Sequence, residues 1–166
     1  MKNLALALLL LPTMSFAENV NYLNLNHSIL DAGAISVDGF EASLETVFDG
    51  KLSIDVSLLS IEDTGASPDS KELSLAYAID SFNEGSFYLG AGVVDAGSAE
   101  LIKSVGFAKI SGKGFDYDVS LSRIGGENVI GLALSGLAGD SGLGWNTSLR
   151  TDGEIDITSV GLSFIF

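Results

Sequence analysis

The sequence predicts an all-β protein, a transmembrane antiparallel up-and-down β-barrel, and three observations carry the prediction. Apolar side chains recur at every second position along almost the whole chain. The chain is acidic and apolar at once, with a net charge of −14 and 46% hydrophobic residues, so the two characters must lie on different faces. Its last residues, TSVGLSFIF, run an alternating apolar strand into the terminal carboxylate, where chains ordinarily fray and are polar.

The first seventeen residues, MKNLALALLLLPTMSFA, precede the alternation and read as a secretory signal peptide. They hold Lys2, an apolar run from Leu4 to Leu11, a helix-breaking Pro12, and Ser15 and Ala17 at the small-residue positions of a signal-peptidase site. The run is too short to span a membrane as a stable helix, and a retained lipoprotein anchor would need a cysteine that the chain lacks. Cleavage after Ala17 leaves residues 18–166 as one domain of 149 residues and takes the net charge from −14 to −15. Without cysteine, this exported domain must be stable through its sheet. Its acidity excludes nucleic acid as a partner, and its hydrophobicity excludes a disordered acidic tail.

Ten candidate strands follow in order. In the first, 19–30, Leu23, Leu25 and His27 share a face. The second, 34–48, alternates Phe40, Ala42, Leu44, Thr46 and Phe48 with Glu41, Ser43, Glu45 and Val47. Asp49-Gly50, a strong hairpin signal, joins it to the third, 51–61, where Leu52, Ile54, Val56 and Leu58 alternate with Ser53, Asp55 and Ser57. Beyond the loop EDTGASPDSK at 62–71, the fourth strand, 71–80, sets Leu73, Leu75, Tyr77 and Ile79 against Ser74, Ala76, Ala78 and Asp80. The fifth, 86–95, sets Phe87, Leu89, Ala91 and Val93 against Tyr88, Gly90 and Gly92. The sixth, 100–111, is less regular, with Leu101, Lys103, Val105 and Phe107 on one face. In the seventh, 114–124, Phe115, Tyr117, Val119, Leu121 and Arg123 oppose Asp116, Asp118, Ser120 and Ser122. The eighth, 128–138, alternates Ile130, Leu132 and Leu134 with Gly131, Ala133 and Ser135, and the ninth and tenth occupy 142–151 and 154–166. Each is about as long as a tilted membrane strand, roughly 9–11 residues. Merging the first two and the last two gives eight strands instead; an even count returns both ends to one side. No stretch of the mature chain has a convincing helical period.

The polar face separates a membrane barrel from a soluble one. It consists of Ser, Gly, Ala, Asp and Glu, nearly without the Lys, Arg and Gln that solubilise an exterior, and small side chains are what a narrow lumen holds. With a periplasmic N-terminus, Tyr22, Phe48, Phe82, Phe87, Phe107, Phe115, Tyr117, Trp145, Phe164 and Phe166 all fall toward the periplasmic end, as a one-sided interfacial belt. A soluble lipocalin-like barrel has no reason to sort its aromatics by height.

The ending carries a resemblance. Ser159, Gly161, Phe164 and Phe166 form a polar-x-Gly-x-x-aromatic-x-aromatic terminus that resembles the assembly signal of bacterial outer-membrane β-barrel proteins. The resemblance implies an outer-membrane location, outer-membrane lipid as surroundings and the barrel-assembly machinery as partner during insertion. In size the domain is similar to the small OmpA/OmpX-like barrels, from which it departs in its brief outer loops. That departure weighs against an adhesin.

Enzyme signals are poor. His27 is the only histidine, and Ser28 beside it would point to the opposite face of a strand, which disfavours a lipid A-modifying hydrolase. GAGVVDAG at 90–97 lacks both the spacing and the following helix of a dinucleotide loop. Asp116 and Asp118 suggest a Ca²⁺ site less readily than hydrated or salt-bridged lumen carboxylates. No cofactor, metal or catalytic constellation is expected. Glu41, Glu45, Asp55, Asp80, Asp116 and Asp118 are predicted inward, opposed clearly by Lys51 and Arg150 alone, and so many carboxylates imply a wet lumen. The leading reading is a non-enzymatic outer-membrane barrel with a structural or envelope role, and the second is a narrow cation-preferring channel. On the outer face, Lys103 and Arg123 are predicted side by side near the upper rim, where lipopolysaccharide phosphates are the available anions.

Overall fold

The computed structural model describes residues 19–61, 69–82, 84–110, 114–138 and 141–166. The expected signal peptide, 1–17, and most of the 62–71 loop lie outside the described residues. Ten strands form one closed antiparallel barrel: β1 (Val20–Ala32), β2 (Ile35–Phe48), β3 (Leu52–Ile61), β4 (Ser70–Phe82), β5 (Gly85–Asp95), β6 (Ala99–Lys109), β7 (Phe115–Ile124), β8 (Glu127–Leu137), β9 (Leu143–Thr151) and β10 (Asp156–Ile165). Each strand pairs with its sequence neighbours, and β1 closes on β10 from Tyr22↔Ile165 to Asp31↔Asp156. The first two and last two strands stay separate, which removes the eight-strand alternative.

Local chemistry fixes the connections. Asp49 and Gly50 both take positive φ, 49° and 63°, and the Lys51 amide donates to the Phe48 carbonyl at 2.9 Å. That is a tight turn with both central residues at positive φ, and Lys51 completes the three-residue connection to Leu52. Strand β4 runs to Phe82, two residues past its expected end, and carries a bulge between Ala78 and Asp80.

The polarity is that of a transmembrane barrel: polar inside, apolar outside. Ser163, Ser159 and Ser28 are 0%, 1% and 2% exposed, while Leu101, Val160 and Ile79 are 67%, 59% and 57% exposed. In water this exterior would be a contiguous apolar patch far larger than a monomer tolerates. In hydrocarbon it is the stable arrangement, because closure pairs the backbone groups of every strand internally. Inside, hydrogen bonds lace four strands together: Asn146 Nδ2 donates to Ser163 Oγ (3.1 Å), Ser163 Oγ to Asn24 Oδ1 (2.6 Å), and Asn24 Nδ2 to Ser43 Oγ (3.1 Å).

The aromatic belt gathers at the end that carries the chain termini. Phe87, Phe107, Tyr117, Phe115 and Trp145 stand in successive ring contact, with centroids 4.8–6.5 Å apart. Tyr22 departs from the expected belt. It shares the inward parity of Asn24 and Asn26, and its hydroxyl donates to Asp116 Oδ2 at 2.7 Å inside the barrel.

Candidate functional site

The lumen is the candidate site, because chemistry-bearing side chains converge there from eight strands. A cavity of about 500 Å³ begins at the terminal end, beside the turn residues Gly50, Lys51 and Glu84, and reaches inward to Glu72 and Arg150. Of the residues expected inward, Glu41, Glu45, Asp55, Asp116 and Asp118 line it. Asp80 does not. The bulge shifts the alternation by one residue, so that Asp80 pairs with outward-facing Phe87 rather than continuing the inward row of Ala76 and Ala78. Its carboxylate instead accepts the Ser81 amide at 2.8 Å.

Glu72, near the loop-side end of β4, is an inward carboxylate outside the expected set. It lies two residues before inward Ser74, so extending the alternation by one step would have found it. Arg150 Nη1 approaches Glu72 Oε2 at 3.2 Å and Arg150 Nη2 approaches Glu41 Oε1 at 3.7 Å. Strand β9, which carries Arg150, and β4, which carries Glu72, are five steps apart around ten strands. The Arg150 and Glu72 side chains together therefore bridge opposite walls of the lumen, and the contact with Glu41 ties in β2. Asn26 Nδ2 adds a bond to Glu41 Oε2 at 3.4 Å. Six carboxylates, the five above and Glu72, thus line the cavity with Arg150, which pairs with two of them.

At the terminal mouth, Lys109 Nζ and Glu84 Oε2 stand 2.7 Å apart, and this hydrogen bond holds the Glu84 carboxyl below the usual carboxylate range. Lys51 occupies the same mouth. Both lysines sit where a cation entering from this side would first meet the barrel, and the acidic wall begins behind them.

The remaining candidates lie elsewhere. His27 faces outward, its Nε2 3.2 Å from Asp38, whereas Ser28 faces inward and shares a 2.8 Å hydrogen bond with Ser159. The two are on opposite faces, so no His-Ser dyad exists. Among the described residues, no group of three or more His, Cys, Asp or Glu is placed to hold a metal ion. The segment 90–97 is the end of β5 and its turn, not a loop opening a helix. Ser159, Gly161 and Phe164 lie on β10 and Phe166 directly follows it; Ser159 and Gly161 face the β1 seam, and the Phe166 backbone exchanges two 3.1 Å hydrogen bonds with Asn21. Lys103 and Arg123 are direct cross-strand partners on the outer face, both exposed.

No protein-family model matches the chain, and no curated protein does. Solved structures do. The chain is similar to the KdgM porin in complex with disordered oligogalacturonate, at 12% identity over 87% of this chain and 99% of that one, with a TM-score of 0.50. It also matches the N-terminal β-barrel domain of Pseudomonas aeruginosa OprF (13% identity, 90% and 98% covered, TM-score 0.47) and Neisserial surface protein A (15%, 90% and 98%, 0.37). The likeness to the porin concerns the fold alone: a small closed antiparallel barrel of the outer-membrane type.

Proposed function

We propose that this chain is a non-catalytic integral protein of the bacterial outer membrane, with a structural or envelope role, whose lumen is an acidic, hydrated vestibule barred by Arg150. The observation that supports this reading is the placement of Arg150. A guanidinium from β9 that meets Glu72 of β4, with Glu41 beside it, sets a fixed charged crossbar in the way of any solute. Such a pair is held firmly, since removing one partner would leave an uncompensated charge in the interior.

A narrow cation-preferring channel is the second reading, favoured by the carboxylate excess. The same charge argues against uptake of polyanions: the porin neighbour is described in complex with oligogalacturonate, whereas six carboxylates would repel such a chain from this lumen.

Conductance in planar bilayers decides between them. The refolded wild type is expected to be silent, and Arg150→Ala to give cation-selective steps, because the bar is gone and Glu41 and Glu72 remain. Stable cation-selective steps from the wild type would establish the channel instead. Anion selectivity in either protein would contradict both readings.

A further inference from the structure

The outer face carries a second arrangement that the lumen does not use. Four residues stand in one outward row across four strands: Ala91, Lys103, Arg123 and Asn128, linked by the pairs Ala91↔Lys103, Lys103↔Arg123 and Arg123↔Asn128. All four are exposed. The two cations are nearest neighbours across the β6–β7 pair, where like charges repel, and neither forms an ion pair among the described residues. Small Ala91 on one side leaves room beside Lys103, and the Asn128 amide adds a donor beside Arg123.

Around this row the surface is apolar. Leu101, Val105, Leu121 and Ile130 are 67%, 45%, 50% and 56% exposed. Lys103 lies four residues inside the loop-side start of β6, and Arg123 one residue from the loop-side end of β7. The neighbouring connections are short, spanning only 96–98 and 125–126, so no long loop overhangs the row. Near the strand ends each cation alone can reach the interface, but two like charges side by side repel, and an anion between them relieves that repulsion. An anion that arrives with its own hydrocarbon chains satisfies both parts of the surface.

The opposite side of the barrel has the reverse character. Asp31, Asp38 and Asp156 stand on the outward parity of β1, β2 and β10, half the circumference away. Asp38 has the His27 ring beside it, with Nε2 at 3.2 Å. The lipid-facing row of Lys103 and Arg123 thus differs in sign from the outward row of Asp31, Asp38 and Asp156, while Asp95, Glu100 and Glu127 stand at the rim above it.

From this juxtaposition we propose that Lys103 and Arg123, with Asn128, form a binding site for the phosphate of an anionic outer-leaflet glycolipid, lipopolysaccharide in kind, whose acyl chains lie along Leu101, Val105, Leu121 and Ile130. The inference rests on the membrane-spanning reading of the barrel. Arg123 offers the phosphate its planar pair of donors, and Lys103 adds a point charge.

The test uses the full mature chain refolded in detergent, with heat-modifiable migration on a gel as the check that the barrel has formed. Thermal midpoints are then followed as bisphosphorylated lipid A, the same lipid after phosphatase treatment, or inorganic phosphate is added. The wild type should be stabilised by lipid A and not by the dephosphorylated lipid. The double variant Lys103→Gln/Arg123→Gln should bind lipid A roughly tenfold more weakly, the scale of one lost charge-assisted hydrogen bond. The charge-keeping swap Lys103→Arg/Arg123→Lys should retain most of the affinity. Equal affinity in wild type and double variant overturns the site. Equal stabilisation by inorganic phosphate assigns it to a free ion, and a change of oligomeric state without a change in lipid affinity assigns it to a second copy of the chain; either result overturns the proposal. A wild type that shows no heat-modifiable form would count against the membrane reading itself, a failure distinct from these.

Discussion

Single residues carry more of this barrel than its simple pattern suggests. Gly161, noticed first as part of a terminal motif, has a folded-state reason to be glycine: a Cβ there would run into the Leu25 carbonyl and Asn26 of the adjoining strand. Gly161→Ala is expected to destabilise the refolded barrel by about 1–3 kcal/mol through overpacking at the seam, read as a lowered urea midpoint in detergent. An unchanged midpoint would contradict a packing role for this glycine. Most inward carboxylates were legible, because period two assigns each residue of a regular strand to a face. Asp80 was not, since its strand alternates without a break in sequence while the backbone inserts an extra residue. Arg150 could be placed inward from sequence, but its partners could not. Glu72 and Glu41 meet it only because closure brings β9, β4 and β2 around one axis.

Elements behave as alternation and turn chemistry demand, and the informative cases are the ends. The Asp49-Gly50 hairpin was readable because its turn requires two residues that tolerate positive φ, which that dipeptide supplies. The turn between β9 and β10 is held differently: Asp152 Oδ1 accepts the amides of Glu154 and Ile155, each at 2.8 Å, and these bonds hold its carboxyl below the usual aspartate range. A depressed carboxyl stabilises the fold when ionised. Its contribution is full above about pH 5 and is lost as the pH falls through the lowered value. Amide exchange at Glu154 and Ile155 should therefore lose protection in acid relative to the barrel strands, and Asp152→Ala should abolish that pH dependence. At the other end of the molecule, Phe166 is held by Asn21 through two backbone bonds of 3.1 Å and an Asn21 Nδ2 bond of 3.0 Å. Deleting Phe166 should reduce insertion in cells strongly and also lower the stability of refolded protein by about 1–2 kcal/mol for the lost bonds. The sequence motif pointed to sorting alone. That a strand-end residue also ties the β1–β10 seam needed the register of the closed barrel. Equal insertion of truncated and full-length chains would remove the terminal residue from any sorting role.

At the scale of the molecule, one inversion of polarity organises the barrel: side chains that a soluble protein would bury face outward, and a cluster of carboxylates lines the interior. Closure of ten strands makes that inversion stable only in lipid. The strand number could not be read from alternation alone, because merging weakly marked neighbours also gives an even count. Pairing of β1 with both β2 and β10 decides it. The orientation of the outer face can be tested with one intrinsic probe, since Trp145 is the chain's only tryptophan and stands 41% exposed in the aromatic belt. The decisive measurement is the quenching of Trp145 fluorescence in protein refolded into vesicles whose lipids carry bromine at defined depths. Strong quenching by bromine close to the glycerol backbone, falling toward the chain ends, is the expected result for an interfacial belt. Quenching by acrylamide from the aqueous phase, with none from any brominated lipid, would contradict a barrel that turns its apolar face to the membrane.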